Sequence, residues 1–240
     1  MIYFRIIIFL LNILFLAHFR KIIASEIQKI SLLVFHSRVW GIIFYSIFFL
    51  PGILIHELSH FFAAQLLNVR TGNINIFPQE IKGENVLMGS VQSEHTDPFR
   101  EILIGAAPFF TGLFVISFIT MINFSAVFGG VNNSWEALTH LSFLNIFFLY
   151  LIFSIGNTMF ISKEDQRGLW FLPLILIAIV SLISAFEVKV NYMKIVYEID
   201  LFLNIINKAL FLCLFLDVVS LIFLKFILIL INGLTKRCLS

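Results

Sequence analysis

The chain has 240 residues, of which 60% are hydrophobic, 12% charged and 30 phenylalanine, and its mean hydropathy is +1.01. A soluble domain carries roughly a quarter of its residues as charges, so this chain lacks the charge to cover a water-facing surface and reads as an integral membrane protein whose solvent is the lipid bilayer. The apolar content excludes a disordered chain and two cysteines exclude a disulfide-stapled fold; a net charge of +2 without a basic cluster gives no reason to expect nucleic acid as a partner.

A spanning helix needs roughly 20 mostly apolar residues to cross about 30 Å of hydrocarbon. Apolar runs at about 2–18, 39–67, 99–123, 137–161, 168–186 and 203–233 predict six spans, hence an all-α, polytopic membrane fold in one domain covering 1–240. The first run has Arg5 near its start, but Arg20 and Lys21 stand where the small residues of a signal-peptide cleavage site belong, so 2–18 is expected to remain as a helix. The second is too long for one straight span, and Pro51-Gly52 predicts a kink in its middle. Between the second and third runs, the polar stretch 68–98 contains Gly72, Gly83 and Gly89 and two strand-like pieces, 73–77 and 86–93, which predict a short β-hairpin at the membrane surface.

In the third run the small residues Gly105, Ala106, Ala107 and Gly112 would let helix backbones approach closely. Residues 126–136 read as a loop and 186–202 as an interfacial connector. In the sixth run Asp217 is expected to form an internal ion pair with Lys225, two turns on. His18, His36 and His140, each isolated, read as packed or hydrogen-bonded core residues.

Chemistry is concentrated in His56-Glu57-Leu58-Ser59-His60. On a helix the residues at i and i+4 share a face, so His56 and His60 can hold one Zn²⁺ while Glu57, the next residue round, reaches a water bound to that metal. An ionisable residue inside a membrane helix costs at least ~2.5 kcal/mol on insertion scales and marks function, which is why Glu57 separates this pair from the isolated histidines. Catalytic zinc takes three protein ligands and a water, so a third must come from elsewhere. The residues alone leave Glu164, Asp165 and Asp217 open for that place, with Cys213 as a buried thiol.

This motif resembles that of the site-2 protease family of intramembrane zinc metalloproteases, which pairs a histidine motif on one membrane helix with a second motif in which an Asn precedes a ligand Asp by eight positions. Asn157 and Asp165 stand at that spacing, although the family's Leu-Asp-Gly ending is replaced here by Asp165-Gln166-Arg167. Gly105-Ala106-Ala107-Pro108 lies near where the family has Gly-Pro followed by Asn, a place held here by Thr111. The resemblance covers about residues 39–168. It implies a metalloprotease-like core in which His56, His60 and Asp165 hold Zn²⁺ and Glu57 is the catalytic base. It also implies a membrane-protein or membrane-anchored peptide substrate, a strand edge in 86–93 to which such a substrate adds, and a site toward the cytosol.

The basic residues divide almost evenly between the two sides of six alternating spans and set no orientation; with the cytosolic site they place both termini and the hairpin in the cytosol. Two other classes use the same residues: a transporter or channel with His, Glu and Asp as an ion path, and a non-catalytic membrane scaffold.

Overall fold

The computed structural model describes residues 2–75, 79–80, 86–87, 90–93, 97–123, 143–160 and 192–235. Among them are six helices: α1 (Ile2–Phe35), α2 (Arg38–Phe48), α3 (Leu50–Leu66), α4 (Pro98–Asn123), α5 (Phe143–Thr158) and α6 (Tyr192–Thr235). By length and composition α1, α4 and α6 can each cross a membrane, and α2 with α3, bent by 78°, makes a fourth candidate. The run at 168–186 and the loop at 126–136 lie outside the described residues.

The helices expose large apolar side chains, and small and polar residues are buried beside aliphatic ones, a pattern expected where lipid and not water is the solvent. On α4, Phe110, Phe114 and Phe118 form an exposed stripe, whereas Gly105, Ala106, Pro108, Gly112, Ser117 and Thr120 are buried. Every residue from Ile152 to Asn157 on α5 is buried, which makes this short helix the centre of the bundle. Small residues set its distances. A Cβ on Gly112 would lie 2.5 Å from Cβ of Met159, and one on Gly156 would lie 2.8 Å from Sγ of Cys213.

The break in the second run falls at Phe49, before the proline. Pro51 sits in the first turn of α3, where its missing N–H costs no intrahelical bond, so it starts a helix instead of kinking one. Gly52 has a different task. A Cβ there would collide with Oγ1 of Thr158 and with the carbonyl oxygen of Ser154.

Contact positions fix the helix directions. Gly41 of α2 lies against Ser31 of α1, and Ile23 clusters with Phe49 and Ile53, so the bent α2–α3 segment as a whole returns along α1. Tyr150, Ser154 and Thr158 of α5 meet Phe48, Gly52 and His56 at a constant offset of 102, so α3 and α5 run parallel. Between α1 and α6, Arg5 forms an ion pair with Asp200 at 3.1 Å and Asn12 donates to Asn207 at 3.4 Å, with both positions rising together. These two helices are therefore parallel.

That direction corrects the expected order of six alternating spans, in which the first and last must run oppositely. It puts the start of α1, the end of α3 and the start of α6 at one end of the bundle, and the end of α6 at the other. A second correction concerns 186–202: from Tyr192 onward this segment is already α6, continuous with the sixth run. At 1.5 Å per residue, α1 and α6 are about 51 Å and 66 Å long, so both extend past a bilayer core.

Asn68 leaves α3 with φ 54°, a left-handed conformation that Asn tolerates at a helix end, and its neighbour Val69 donates back to the Ala64 carbonyl at 2.9 Å. The chain then enters the expected hairpin. Strands β1 (Thr71–Asn75) and β4 (Ser90–Ser93) pair antiparallel with Ile74 opposite Val91, and β2 (Gln79–Glu80) pairs with β3 (Val86–Leu87). Both β1 and β4 lie against α3.

Gly52→Ala should lower stability by about 1–3 kcal/mol, because the clashing atoms include backbone that cannot rotate away; thermal unfolding in detergent measures it, and an unchanged midpoint would show that α3 and α5 do not approach so closely. Reporter fusions at the two termini should report opposite sides of the membrane, and same-side readings would contradict the parallel α1 and α6.

Candidate metal site

The two histidines of the motif lie on the second and third turns of α3, with His60 buried and His56 partly exposed. Their ring centroids are 4.9 Å apart at 79° to one another. Each Nδ1 is 2.8 Å from a backbone carbonyl oxygen: that of Thr158 for His56 and that of Ile104 for His60. A carbonyl only accepts, so each Nδ1 carries the proton and donates it. In the neutral ring this leaves Nε2 as the lone-pair nitrogen, and the two Nε2 atoms face each other at 3.3 Å.

Two imidazole nitrogens bound to one tetrahedral zinc at 2.0–2.1 Å would stand about 3.3–3.4 Å apart. The pair thus fits the metal without moving. Tying the remote Nδ1–H of a ligand histidine to a carbonyl is also how metal sites fix the tautomer and aim the ring.

Helix construction supplies both carbonyls. Thr158 is the last residue of α5, and the final carbonyls of a helix have no intrahelical donor. Ile104 stands four residues before Pro108, which has no N–H to give it. Close packing then brings them to α3: Gly52 admits α5, while Ala64, Val69 and Ile104 form a small cluster between α3, the loop after it and α4.

Glu57 is buried at 6% exposure, about 100° round the helix from His56. Ser59, also buried, donates from Oγ to the His56 carbonyl at 2.6 Å, which holds that turn of α3. Among the described residues no three or more His, Cys, Asp or Glu side chains gather as a metal-holding group. Asp165 and Glu164 lie outside the described residues, as do His95 and His140.

Asp217 is fully buried on α6 but is turned to a different partner than Lys225, which is exposed and too far along the same helix to be reached. Its Oδ1 accepts from Nδ2 of Asn157 at 2.7 Å, and the same amide also donates to the Phe153 carbonyl at 3.0 Å. The Asn in the second motif therefore holds α6. Sequence reasoning missed this pair, for which the signal was two polar residues in otherwise apolar helices. His18 and His36 are exposed, on α1 and in the turn after it, not packed in a core. Thr111 lines an open groove of 460 Å³ between α3 and α4, together with Ile55, Leu58, Ser59, Phe62 and Val115.

No protein-family model matches the chain, and neither a curated protein nor a solved structure matches it significantly.

Removing the carboxylate with Asp217→Ala leaves the Asn157 amide short of a partner in a buried place, at a cost of about 1–3 kcal/mol. A double-mutant cycle with Asn157→Ala, read by unfolding in detergent, should recover a coupling above about 0.5 kcal/mol. Strict additivity would mean that the two side chains do not meet.

Proposed function

We propose that the chain is a zinc-dependent intramembrane endopeptidase that cleaves a peptide bond in or near a membrane segment of a partner protein. The observation that carries this reading is the facing pair of Nε2 atoms at 3.3 Å, each ring fixed through its Nδ1–H, beside a buried glutamate. His56 and His60 would hold the metal with Asp165 as the third ligand, the last on the strength of the motif spacing.

Zinc in that place would polarise the scissile carbonyl and lower the pKa of a bound water. Glu57 would take the proton as the water oxygen adds to the carbonyl carbon and give it to the nitrogen as the C–N bond breaks. Among the described residues β1 and β4 pair only with each other, and an extended substrate backbone could add to a strand edge beside α3. In this reading the protein is a multi-pass membrane protein with its site at the end of the bundle that carries the hairpin and the N-terminus, facing the cytosol.

Substitutions separate the roles. Glu57→Gln should keep stoichiometric zinc and lose about 10²- to 10⁴-fold in cleavage rate, whereas His56→Ala and Asp165→Ala should lose the zinc as well. Asp217→Ala should keep it. Metal analysis of the purified protein beside a cleavage assay with a membrane-anchored substrate decides among them. Full proteolysis by Glu57→Gln would end the mechanism, and an unmutated protein without zinc would favour an ion path or a scaffold.

A further inference from the structure

Pro108 is fully buried in the interior of α4, where a proline removes one intrahelical bond and its ring presses on the carbonyl of the residue four before it. That residue is Ile104, and its carbonyl is the one His60 Nδ1 reaches at 2.8 Å. Among the four residues that precede Pro108 by up to one turn, only Ile104 has its ordinary donor deleted by the proline. Pro51, the other proline in a described helix near the site, sits in a first turn where no acceptor loses a donor.

We propose that Pro108 is a positioning residue for the metal site: by having no N–H it leaves the Ile104 carbonyl to His60, fixing His60 as the Nδ1–H tautomer with Nε2 turned toward His56. The claim about zinc rests on the metal reading above, whereas the claim about the tautomer does not. With an ordinary residue at 108 the turn closes, its N–H takes the Ile104 carbonyl along the helix axis, and His60 loses the acceptor that selects its tautomer. His56 is unaffected, because its acceptor belongs to α5.

The test compares the unmutated full chain, Pro108→Ala, Pro51→Ala, and a variant with lactic acid at 108. The last has an ester oxygen in place of N–H, so it removes the ring without restoring a donor. Nitrogen NMR of labelled histidines in the zinc-free protein reads the tautomer of His60, and competition against a chelator reads zinc affinity. Expected are the Nδ1–H form in the unmutated chain, in Pro51→Ala and in the ester variant, and its loss in Pro108→Ala together with about a 10- to 100-fold weaker zinc affinity.

An unchanged His60 tautomer in folded Pro108→Ala overturns the proposal, even if the unmutated protein binds zinc tightly. Should Pro108→Ala fail to fold, the ester variant decides: retention of the Nδ1–H form supports the missing donor as the cause, and its loss overturns it. Absence of zinc from the unmutated protein would sink the metal reading alone, with the tautomer still deciding the role of Pro108.

Discussion

Inside hydrocarbon a backbone N–H or carbonyl without a partner costs several kcal/mol, and water is not there to supply one. This chain breaks a helix at Phe49, ends another at Thr158 and places a proline in a third, so it creates such groups inside its bundle. Backbone meets some of them, as where Phe49 N–H donates to the Tyr45 carbonyl, and side chains of neighbouring helices meet others. Tyr150 donates to the Phe48 carbonyl at 2.8 Å, Ser154 Oγ accepts from Gly52 N–H at 3.1 Å, and the two imidazoles take the carbonyls of Thr158 and Ile104. The orientation of the histidines is thus one outcome of a requirement that the whole bundle has to satisfy.

Three of those bonds lie between α5 and the broken α2–α3 segment, one turn apart on each side. They need the backbones close, which is why Gly52 admits no Cβ and why small residues recur where α5 meets its other neighbours. Dispersion and a few hydrogen bonds do the holding here, since lipid tails are as apolar as leucine and drive no helices together. The long α1 and α6 follow the same rule at their starts, where Arg5 with Asp200 and Asn12 with Asn207 join two otherwise apolar surfaces.

The membrane class, most of the helices and the hairpin were legible because each rests on local chemistry: run length against bilayer thickness, and glycines bounding a polar stretch; α1, however, runs on to Phe35 past the expected 2–18, and 168–186 lies outside the described residues. The histidine pair was legible for the same reason, as i and i+4 meet on any helix. What was not legible depends on distant contacts. Whether Asp217 turns to Lys225 or to Asn157 is decided by how α5 crosses α6, and the direction of α6 against α1 is set by residues some 195 positions apart. The kink was misplaced because Pro51-Gly52 looks like a breaker, whereas proline suits a first turn and the glycine is required by an approaching helix. Pro108 was visible only as the end of Gly105-Ala106-Ala107-Pro108, and its partner could be found only after α4 was laid beside α3.

The end of α5 shows how these contacts fix one site. A side chain leaves a helix sideways whereas its last carbonyls point on along the axis, so the last two residues of α5 and the one after them can address three neighbours. Asn157 bonds Asp217 of α6, the Thr158 carbonyl takes His56 of α3, and Met159 packs against Gly112 of α4. Since α4 also carries the Ile104 carbonyl that holds His60, both imidazoles are referenced to the same last turn of α5, one directly and one through the α4 contact. A shift of α5 by even an ångström would move the acceptor of His56 and the helix that bears the acceptor of His60 together. The 3.3 Å separation of the two Nε2 atoms is accordingly a property of how three helices pack, and not of α3 alone.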